Sequence, residues 1–539
     1  MKRMKNLLLL SLVIFLFSGS CIQKEMPGQA IWDTIISDTI MYHPVRLDIM
    51  GNILPWYSPD PGASYDTAIT LVWNFWKNME IDSNGLKYYM NHQVWEPDHD
   101  MRGLGGDQIN MALSSWALLY QYTGDQSVIE DMKYMADEYL DRSLSAPSSS
   151  WPHLPYPYNT DIHSGIYDGD MMNGKGILQP DKAGSFGYEL VSLYKITAEQ
   201  KYLDAATRIA RVLAERTQPG NNDESPLPFR VNPETGKTGI LSSNSEDGKI
   251  VTKALYTANW TGTMMLFQEM QRFDTANAKL YQKSYDTILD WMKEYPLKTN
   301  KWGPFFEDVS GWSNTQTNAV TFAMFIMQNR DLFPDWEKDV KGIFDWTYEE
   351  LGNEEYSQYG VTVINEQTVY RVPGNSHSSR QASMELLYSL LTGDTTFTTN
   401  AIRTLHWATY TVDWDGKNRY IRNDVWLTDG YGDYVRHYLR AMAALPELAP
   451  SHKNKLLESS SVVTDIEYNS ENIAYKTFDT ESIELLRLTT KPVKILAAGE
   501  VLPESDQLSG DNWTWTTLVT GGVLRINHIH SDEISILLK

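Results

Sequence analysis

The 539-residue chain contains a single cysteine, Cys21. Without a second cysteine, an intramolecular disulfide and a zinc site built on cysteines are excluded. The chain also lacks the Gly-x-Ser-x-Gly turn of esterases, the Walker A loop and the dinucleotide-binding glycine fingerprint. No His-x3-His pair supports a zinc centre. We therefore expect an activity that uses no metal and no other cofactor.

Positive charge is scarce: 46 Lys and Arg stand against 69 Asp and Glu, which gives a net charge of −23. Such an acidic chain is a poor binder of nucleic acid, so we expect no nucleic-acid partner. A local site of Arg and His can still bind an anionic substrate. Aromatic residues are abundant, with 18 Trp and 31 Tyr. Their faces stack on the apolar faces of sugars, which favours a carbohydrate ligand, although a large aromatic core would explain the same count.

The N-terminus carries the most specific pattern in the chain. Basic residues precede an eleven-residue apolar run from Leu7 to Phe17, too short to span a bilayer, and Ser-Gly-Ser then leads to Cys21. This resembles a bacterial lipoprotein signal, although Ser18 stands where the usual pattern has Leu. The resemblance implies cleavage after Ser20, lipidation of Cys21 and anchoring in the cell envelope, at the outer membrane. The alternative is a plain secretory signal with an incidental cysteine.

Helical hairpins repeat along the middle of the chain. Segments that begin at Met111, Gly187 and Ala382 each predict an apolar helix, a Thr-Gly-Asp or Thr-Ala-Glu turn and an amphipathic helix. Weaker copies begin at Gly262 and Ala319. Counting the flanking stretches, we predict six or seven hairpins.

The links between hairpins are long and irregular, as in 142–182 and 217–260, and are rich in Pro, Gly, Trp and Asn. Even, short links are typical of an open solenoid, so these links favour a closed ring with its loops gathered at one end. After residue 455 the pattern changes to alternating β-formers, which predicts strands. We predict a signal peptide at 1–20, a tether at 21–45, a helical ring at 46–450 and a β domain at 455–539.

This organisation resembles the α/α-toroid glycoside hydrolases and polysaccharide lyases. The resemblance covers about 400 residues and implies a mainly α fold, an (α/α)6-7 toroid followed by a small C-terminal antiparallel β-sandwich domain. Toroid lyases often carry such a β domain, whereas the simplest toroid hydrolases often lack one. In these enzymes the active site is built from interhelical loops.

One polar cluster precedes a core helix that begins near Ser378. Asn375 and His377 fall at the helix N-terminus and Arg380 in its first turn. An N-terminus with free N–H groups and a guanidinium suits a sugar carboxylate. The alternative is a capped helix with a structural histidine.

Other stretches supply further candidates, each with a structural alternative as a cap, a solvated loop or a core residue. Tyr431 lies between two glycines and is a candidate catalytic phenol. The candidate substrate-binding residues lie ahead of helices, in several links: His99, Arg102, Asp181, Trp260, Asn314 and Gln316.

Asn, His, Tyr and Arg are the residue types that β-elimination at a uronic acid requires. Asn375 and Arg380 would neutralise the carboxylate, while His377 and Tyr431 would move protons at C5 and C4. A sugar leaving C4 makes the reaction a lyase reaction, and a hydroxyl makes it a dehydratase reaction. Both would form a C4=C5 double bond in uronate-containing poly- or oligosaccharides.

Two other functions stay open. The first is a glycosidase of glucuronyl or unsaturated glucuronyl ends, which needs two carboxylates. The carboxylates available for that role are Asp98, Asp100, Asp107, Asp170 and Asp181. The second is a non-catalytic glycan-binding lipoprotein.

Overall fold

Helices are the main regular secondary structure of the chain up to residue 444. A computed structural model describes residues 34–92, 103–242, 251–306, 312–427 and 432–539. The helices are α1 (Pro61–Lys77), α2 (Tyr88–Asn91), α3 (Gly106–Thr123), α4 (Gln126–Ser143), α5 (Pro180–Thr197), α6 (Gln200–Arg216), α7 (Thr261–Phe273), α8 (Ala278–Glu294), α9 (Pro296–Thr299), α10 (Gln316–Gln328), α11 (Trp336–Leu351), α12 (Asn375–Thr392), α13 (Thr398–Thr409) and α14 (Asp433–Ala444).

The long helices form two concentric rings. Within the described ranges, α3, α5, α7, α10, α12 and α14 pack each against the next, and α14 packs back against α3. This closes an inner ring of six helices. The outer helices α1, α4, α6, α8, α11 and α13 pack on the inner ones. The predicted toroid is therefore confirmed, with six inner helices.

Three inner helices, α3, α5 and α12, end in a residue with left-handed backbone conformation. Gly124 ends α3 in the left-handed conformation, with φ of 69°, and the side chain of Asp125 then accepts a hydrogen bond from the Ser127 amide at the start of α4. Gly393 ends α12 in the same way, with φ of 77°. At the equivalent position after α5 stands Ala198, with φ of 58°.

The long links all lie at the opposite end of the inner helices from these turns. Each connects the end of an outer helix to the start of an inner one, and we call this side the loop end. Short strand pairs stiffen the links. They are β3 (Gly169–Asp170), β4 (Gly174–Lys175), β5 (Ile240–Ser242), β6 (Val251–Lys253), β7 (Gly352–Asn353), β8 (Val363–Ile364), β9 (Arg419–Tyr420) and β10 (Asn423–Leu427).

The chain ends in two antiparallel sheets, which confirms the predicted β-sandwich. One sheet has the order β11-β14-β18-β17, and the other has the order β12-β13-β19-β15-β16. Tyr475 of the second sheet donates a hydrogen bond to Glu484 of the first, 3.0 Å away, so the two sheets face each other. The strands are β11 (Lys455–Ser459), β12 (Val463–Tyr468), β13 (Asn472–Thr477), β14 (Ser482–Leu488), β15 (Lys494–Ala497), β16 (Glu500–Leu502), β17 (Asn512–Thr517), β18 (Gly522–His528) and β19 (Glu533–Leu537).

The β-sandwich covers the end of the ring away from the long loops. Lys455 donates to the carbonyl of Tyr122 near the end of α3, at 3.0 Å. Arg272, near the end of α7, pairs with Asp479 at 2.6 Å. The loop end is therefore the side of the ring that stays clear of the second domain.

Part of the segment 21–45, which we predict to be a tether, is folded. Strands β1 (Thr34–Ile40) and β2 (His43–Leu47) form a hairpin. His43 Nε2 lies 3.0 Å from the carbonyl oxygen of Val412, so the hairpin packs beside the link that follows α13. Among the described residues, no helix combines the length and the apolar character needed to cross a bilayer.

The left-handed turns give a matched pair of substitutions. Ala198→Gly should raise the melting temperature because it relieves a Cβ clash of about 1 kcal/mol at φ of 58°. Gly393→Ala introduces the same clash at an equivalent turn. It should therefore destabilise the folded state by a similar free energy and lower the melting temperature. Differential scanning calorimetry of both variants checks this, and shifts of the same sign would contradict it.

Candidate active site

A buried ion-pair network joins two neighbouring inner helices at the loop end. The carboxylate of Asp433, the first residue of α14, pairs with Arg380 of α12 and with Arg436 one turn further along α14. His437 Nε2 lies 3.1 Å from Oδ2 of the same carboxylate. Asp433 and His437 are completely buried, and Arg380 is 4% exposed.

The charged groups of this network shift one another's pKa values. Burial alone would raise the pKa of Asp433, but Arg436, His437 and Arg380 outweigh it and hold that pKa well below its usual range. Burial lowers the pKa of His437 to about 3, although Asp433 opposes the shift, so this imidazole is neutral at pH 7. The network therefore contains one carboxylate and two guanidinium groups, with a surplus of positive charge.

Arg380 has a different position from the one the sequence predicts. Its Nη1 donates to Gln316 Oε1 at 2.9 Å and to Thr317 Oγ1 at 3.0 Å, while its Nη2 donates to Asp433. These contacts direct the guanidinium towards side chains of α10 and α14. Gln316 also donates to the carbonyl of His377 at 3.1 Å. The substrate-binding roles predicted for Arg380 and Gln316 stay predictions.

His377 lies beneath an apolar cover at the loop end. It is 2% exposed, and its ring centroid is 5.5 Å from that of Phe306. Phe306 forms a small apolar cluster with Phe305 and with Met111 of α3. Burial lowers the pKa of His377 well below its usual value, and the nearby charge of Arg380 lowers it further, while Asp433 opposes the shift. The imidazole is therefore neutral, and its low pKa makes it a weak base in the absence of a substrate.

Two other predicted residues fix loops. Asn375 donates to Thr411 Oγ1 at 2.8 Å and also to Asn418, so it attaches the start of α12 to the link after α13. Asn314 Oδ1 accepts hydrogen bonds from the amides of Trp302 and Gly303, at 3.0 and 2.9 Å. The substrate-binding roles predicted for Asn375 and Asn314 stay predictions.

The prediction that Trp260 is a sugar platform is wrong, because its side chain is completely buried in the core. Asp181 is also completely buried and accepts a hydrogen bond from Asn259 at 2.8 Å. The neighbouring Lys182 donates to the carbonyl of Phe305 at 2.7 Å and lies 3.3 Å from the centroid of its ring. Asp181 and Lys182 therefore lie beneath the same apolar cover as His377.

Four predicted residues fall outside the described parts of the chain: His99, Arg102, Tyr431 and Cys21. Two carboxylates offered for a glycosidase, Asp98 and Asp100, also fall outside them. Their roles stay predictions. Within the described ranges, no group of three or more His, Cys, Asp or Glu side chains is arranged to hold a metal ion.

The structure adds a carboxylate that sequence reasoning missed. Glu366 accepts a hydrogen bond from the hydroxyl of Tyr420 at 2.6 Å, and both side chains are buried. A Cβ at Gly374 would collide with Nδ1 of His377 and lie 3.1 Å from Cγ of Glu366. Glu366 and His377 thus face the same glycine. Glu366 lies on an irregular link whose sequence has no periodic pattern, so its proximity to His377 depends on the fold.

A second polar region lies deeper, on the ring axis, and we call it the axial chamber. Its residues face inwards from three helices and are partly accessible: Ser114, Tyr188, Glu189, Arg436 and Arg440. Helices α5 and α14 are separated by α3, yet Arg436 and Arg440 of α14 both lower the pKa of Glu189 on α5. The charges therefore act through the interior of the ring, past α3. Burial outweighs them and raises the pKa of Glu189 to about 7.

The fold is shared with enzymes that act on carbohydrates. A cellobiose 2-epimerase from Spirochaeta thermophila superposes with a TM-score of 0.53 at 11% identity, covering 71% of this chain and 98% of that chain. An unsaturated glucuronyl hydrolase specific for heparin gives a TM-score of 0.44 at 11% identity, covering 72% and 97%. A polysaccharide lyase gives 0.43 at 10% identity, covering 71% and 97%.

These solved structures are α/α-toroid carbohydrate-active enzymes, and at such low identity the likeness shows the fold alone. No protein-family model matches the chain. No curated protein matches it by sequence.

Removing the Asp433 charge tests the network. Asp433→Asn leaves Arg380 and Arg436 buried with reduced compensation, so we expect a loss of about 3–5 kcal/mol in stability. The control is Asp345→Asn, which breaks an exposed pair with Lys341 on α11 and should cost below about 1 kcal/mol. Thermal melting of both variants at pH 7 checks this prediction. Equal losses of stability would show that Asp433 does not stabilise the fold through the buried network.

The same carboxylate predicts a pH dependence. Its pKa is lower in the folded than in the unfolded state, so its stabilisation is present above pH ~4 and is lost as the pH falls through the folded value. Melting temperatures measured from pH 7 down to pH 3 should therefore fall less steeply for Asp433→Asn than for the wild type. Parallel curves would show that Asp433 is not linked to acid stability.

Proposed function

We propose that the protein is a carbohydrate-active enzyme that removes the C5 proton of a uronic acid residue and eliminates the group at C4. The observation that carries this proposal is the neutral, buried imidazole of His377 next to the Arg380–Asp433 pair at the loop end. A neutral imidazole accepts protons, and nearby positive charge favours the anion that forms when a proton leaves carbon beside a carboxylate.

The elimination balances as follows. His377 takes the C5 proton, the electrons of the C5–H bond form the C4=C5 double bond, and the C4–O bond breaks. The leaving oxygen takes a proton, for which Tyr431 is our predicted donor. A glycosidic oxygen at C4 gives a shorter sugar and a lyase reaction. A hydroxyl at C4 gives water and a dehydratase reaction on a non-reducing end.

Access to His377 requires the apolar cover to move. The Phe306 ring is 5.5 Å from the His377 ring, between centroids, and it occupies the space that a sugar ring would need. An anionic substrate next to His377 would also raise the pKa of the imidazole and make it a stronger base. Substrate binding and base activation are therefore coupled in this proposal. The lipid anchor predicted at Cys21 would hold the enzyme at the cell envelope, where extracellular glycans are met.

A glycosidase of glucuronyl ends is the second candidate. The observation that favours it is a set of three buried carboxylates at or just before the starts of inner helices, namely Asp107, Asp181 and Glu366. A glycosidase needs two carboxyl groups on either side of the glycosidic bond. Its product from an unsaturated end loses the double bond instead of gaining one.

Absorbance near 235 nm separates these functions when the protein is incubated with uronate-rich oligosaccharides. We expect a rise from the new double bond, whereas a fall with unsaturated oligosaccharides would indicate the glycosidase. Hydrogen exchange at a carbon without any absorbance change would indicate epimerisation. Binding of the oligosaccharide without any reaction would indicate a non-catalytic glycan-binding protein.

Replacing the base tests its role. His377→Ala should lower the elimination rate by at least about 100-fold, the usual contribution of a general base. The control is His452→Ala, which removes an exposed imidazole and should leave the rate unchanged. A folded His377→Ala variant with the wild-type rate would remove His377 from the reaction.

A further inference from the structure

The axial chamber carries positive charge in a strongly acidic protein. The guanidinium groups of Arg380, Arg436 and Arg440 lie on or near the axis, against the carboxyl groups of Asp433 and Glu189. Glu189 is only partly ionised at pH 7 because its pKa is about 7. The net charge of this interior region is therefore positive, while the whole chain has a net charge of −23.

Arg440 differs from the other arginines of the chamber. Arg436 pairs with Asp433 and donates to Ser114 Oγ at 3.0 Å, and Arg380 pairs with the same carboxylate. In the part of the chain that the structure describes, Arg440 has no carboxylate within 4.0 Å and no hydrogen bond to the protein. Burial, and after it the charge of Arg436, lower the pKa of Arg440 to about 9, so the guanidinium lies in an unfavourable environment.

An arginine in this situation gains most from an anion. A guanidinium in the interior of the ring with no carboxylate beside it is poorly compensated, and a carboxylate or halide ion next to it supplies the missing negative charge. Arg436 and Arg440 lie four residues apart on α14, so their side chains lie on one face of the helix. Tyr188 faces the same space from α5 and offers a hydroxyl donor.

We propose that the axial chamber binds a small monovalent anion, a carboxylate group or a halide ion, against Arg440. The chamber lies deeper than the apolar cluster of Met111, Phe305 and Phe306, since Ser114 is one helical turn further along α3 than Met111. The β-sandwich closes the other end of the ring. The anion is therefore enclosed within the ring, and its binding does not require turnover at His377.

Thermal melting of the full chain with three sodium salts, bromide, acetate and D-glucuronate, tests this site. The wild-type melting temperature should rise and then saturate with at least one of these anions, because binding to the folded state alone stabilises it. Arg440→Met should lose this rise. The matched control is Arg211→Met, which removes an arginine that is about half exposed on α6 and should keep it.

Crystals of the wild type soaked in bromide give a direct reading that needs no variant. The proposal predicts an anomalous peak within hydrogen-bonding distance of the Arg440 guanidinium. Glu189→Gln removes the competing negative charge, so it should lower the anion concentration at which the melting temperature is half-way to its plateau. This variant supplies the test if Arg440→Met does not fold.

Comparison of the three salts shows which type of anion the chamber binds. Stabilisation by acetate and glucuronate at lower concentrations than bromide identifies a carboxylate site, and a lower midpoint for glucuronate than for acetate identifies a sugar acid. If bromide stabilises the protein at the same concentrations as acetate and glucuronate, the chamber is a general small-anion site. The proposal is overturned if the wild type and Arg440→Met respond equally, if Glu189→Gln leaves the midpoint unchanged, or if no bromide lies beside Arg440.

Discussion

The carboxylate of Asp433 is the interaction on which the loop end depends. It holds Arg380 from α12 and Arg436 from its own helix, and it contacts His437. Arg380 in turn reaches Gln316 and Thr317 at the start of α10. One buried negative charge therefore connects the starts of three inner helices. Replacing such a charge costs far more than replacing an exposed one, because its partners are left uncompensated away from water.

The ring explains why these groups meet. All inner helices run in the same direction, so their first turns converge at the loop end and their last turns face the β-sandwich. The polar residues that open α10, α12 and α14 therefore surround one region, although the three helix starts, Gln316, Asn375 and Asp433, are far apart in sequence. The apolar cluster of Met111, Phe305 and Phe306 then covers this region and keeps His377 neutral. The same ring encloses the axial chamber, where two arginines of α14 lie near Glu189 of α5.

The fold could be predicted because its signals are local. Gly124 and Gly393 end helices where the Thr-Gly-Asp turns predict an end, and alternating β-formers after residue 455 predict the strands. The site could be predicted only in part, because it depends on packing between distant segments. Trp260 illustrates this, since an aromatic residue at a helix entry has the same local pattern whether it faces solvent or the core. Arg380 and Asp433 lie 53 positions apart, and nothing in either segment specifies their pairing.

We infer that the buried neutral imidazole of His377 removes the C5 proton of a uronic acid. A uronate oligosaccharide that carries deuterium at C5 tests it most directly, when its reaction rate and products are compared with those of the unlabelled sugar. Our account predicts a slower reaction and the loss of one deuterium for each double bond formed. Equal rates, with deuterium retained at C5 of the product, would contradict it.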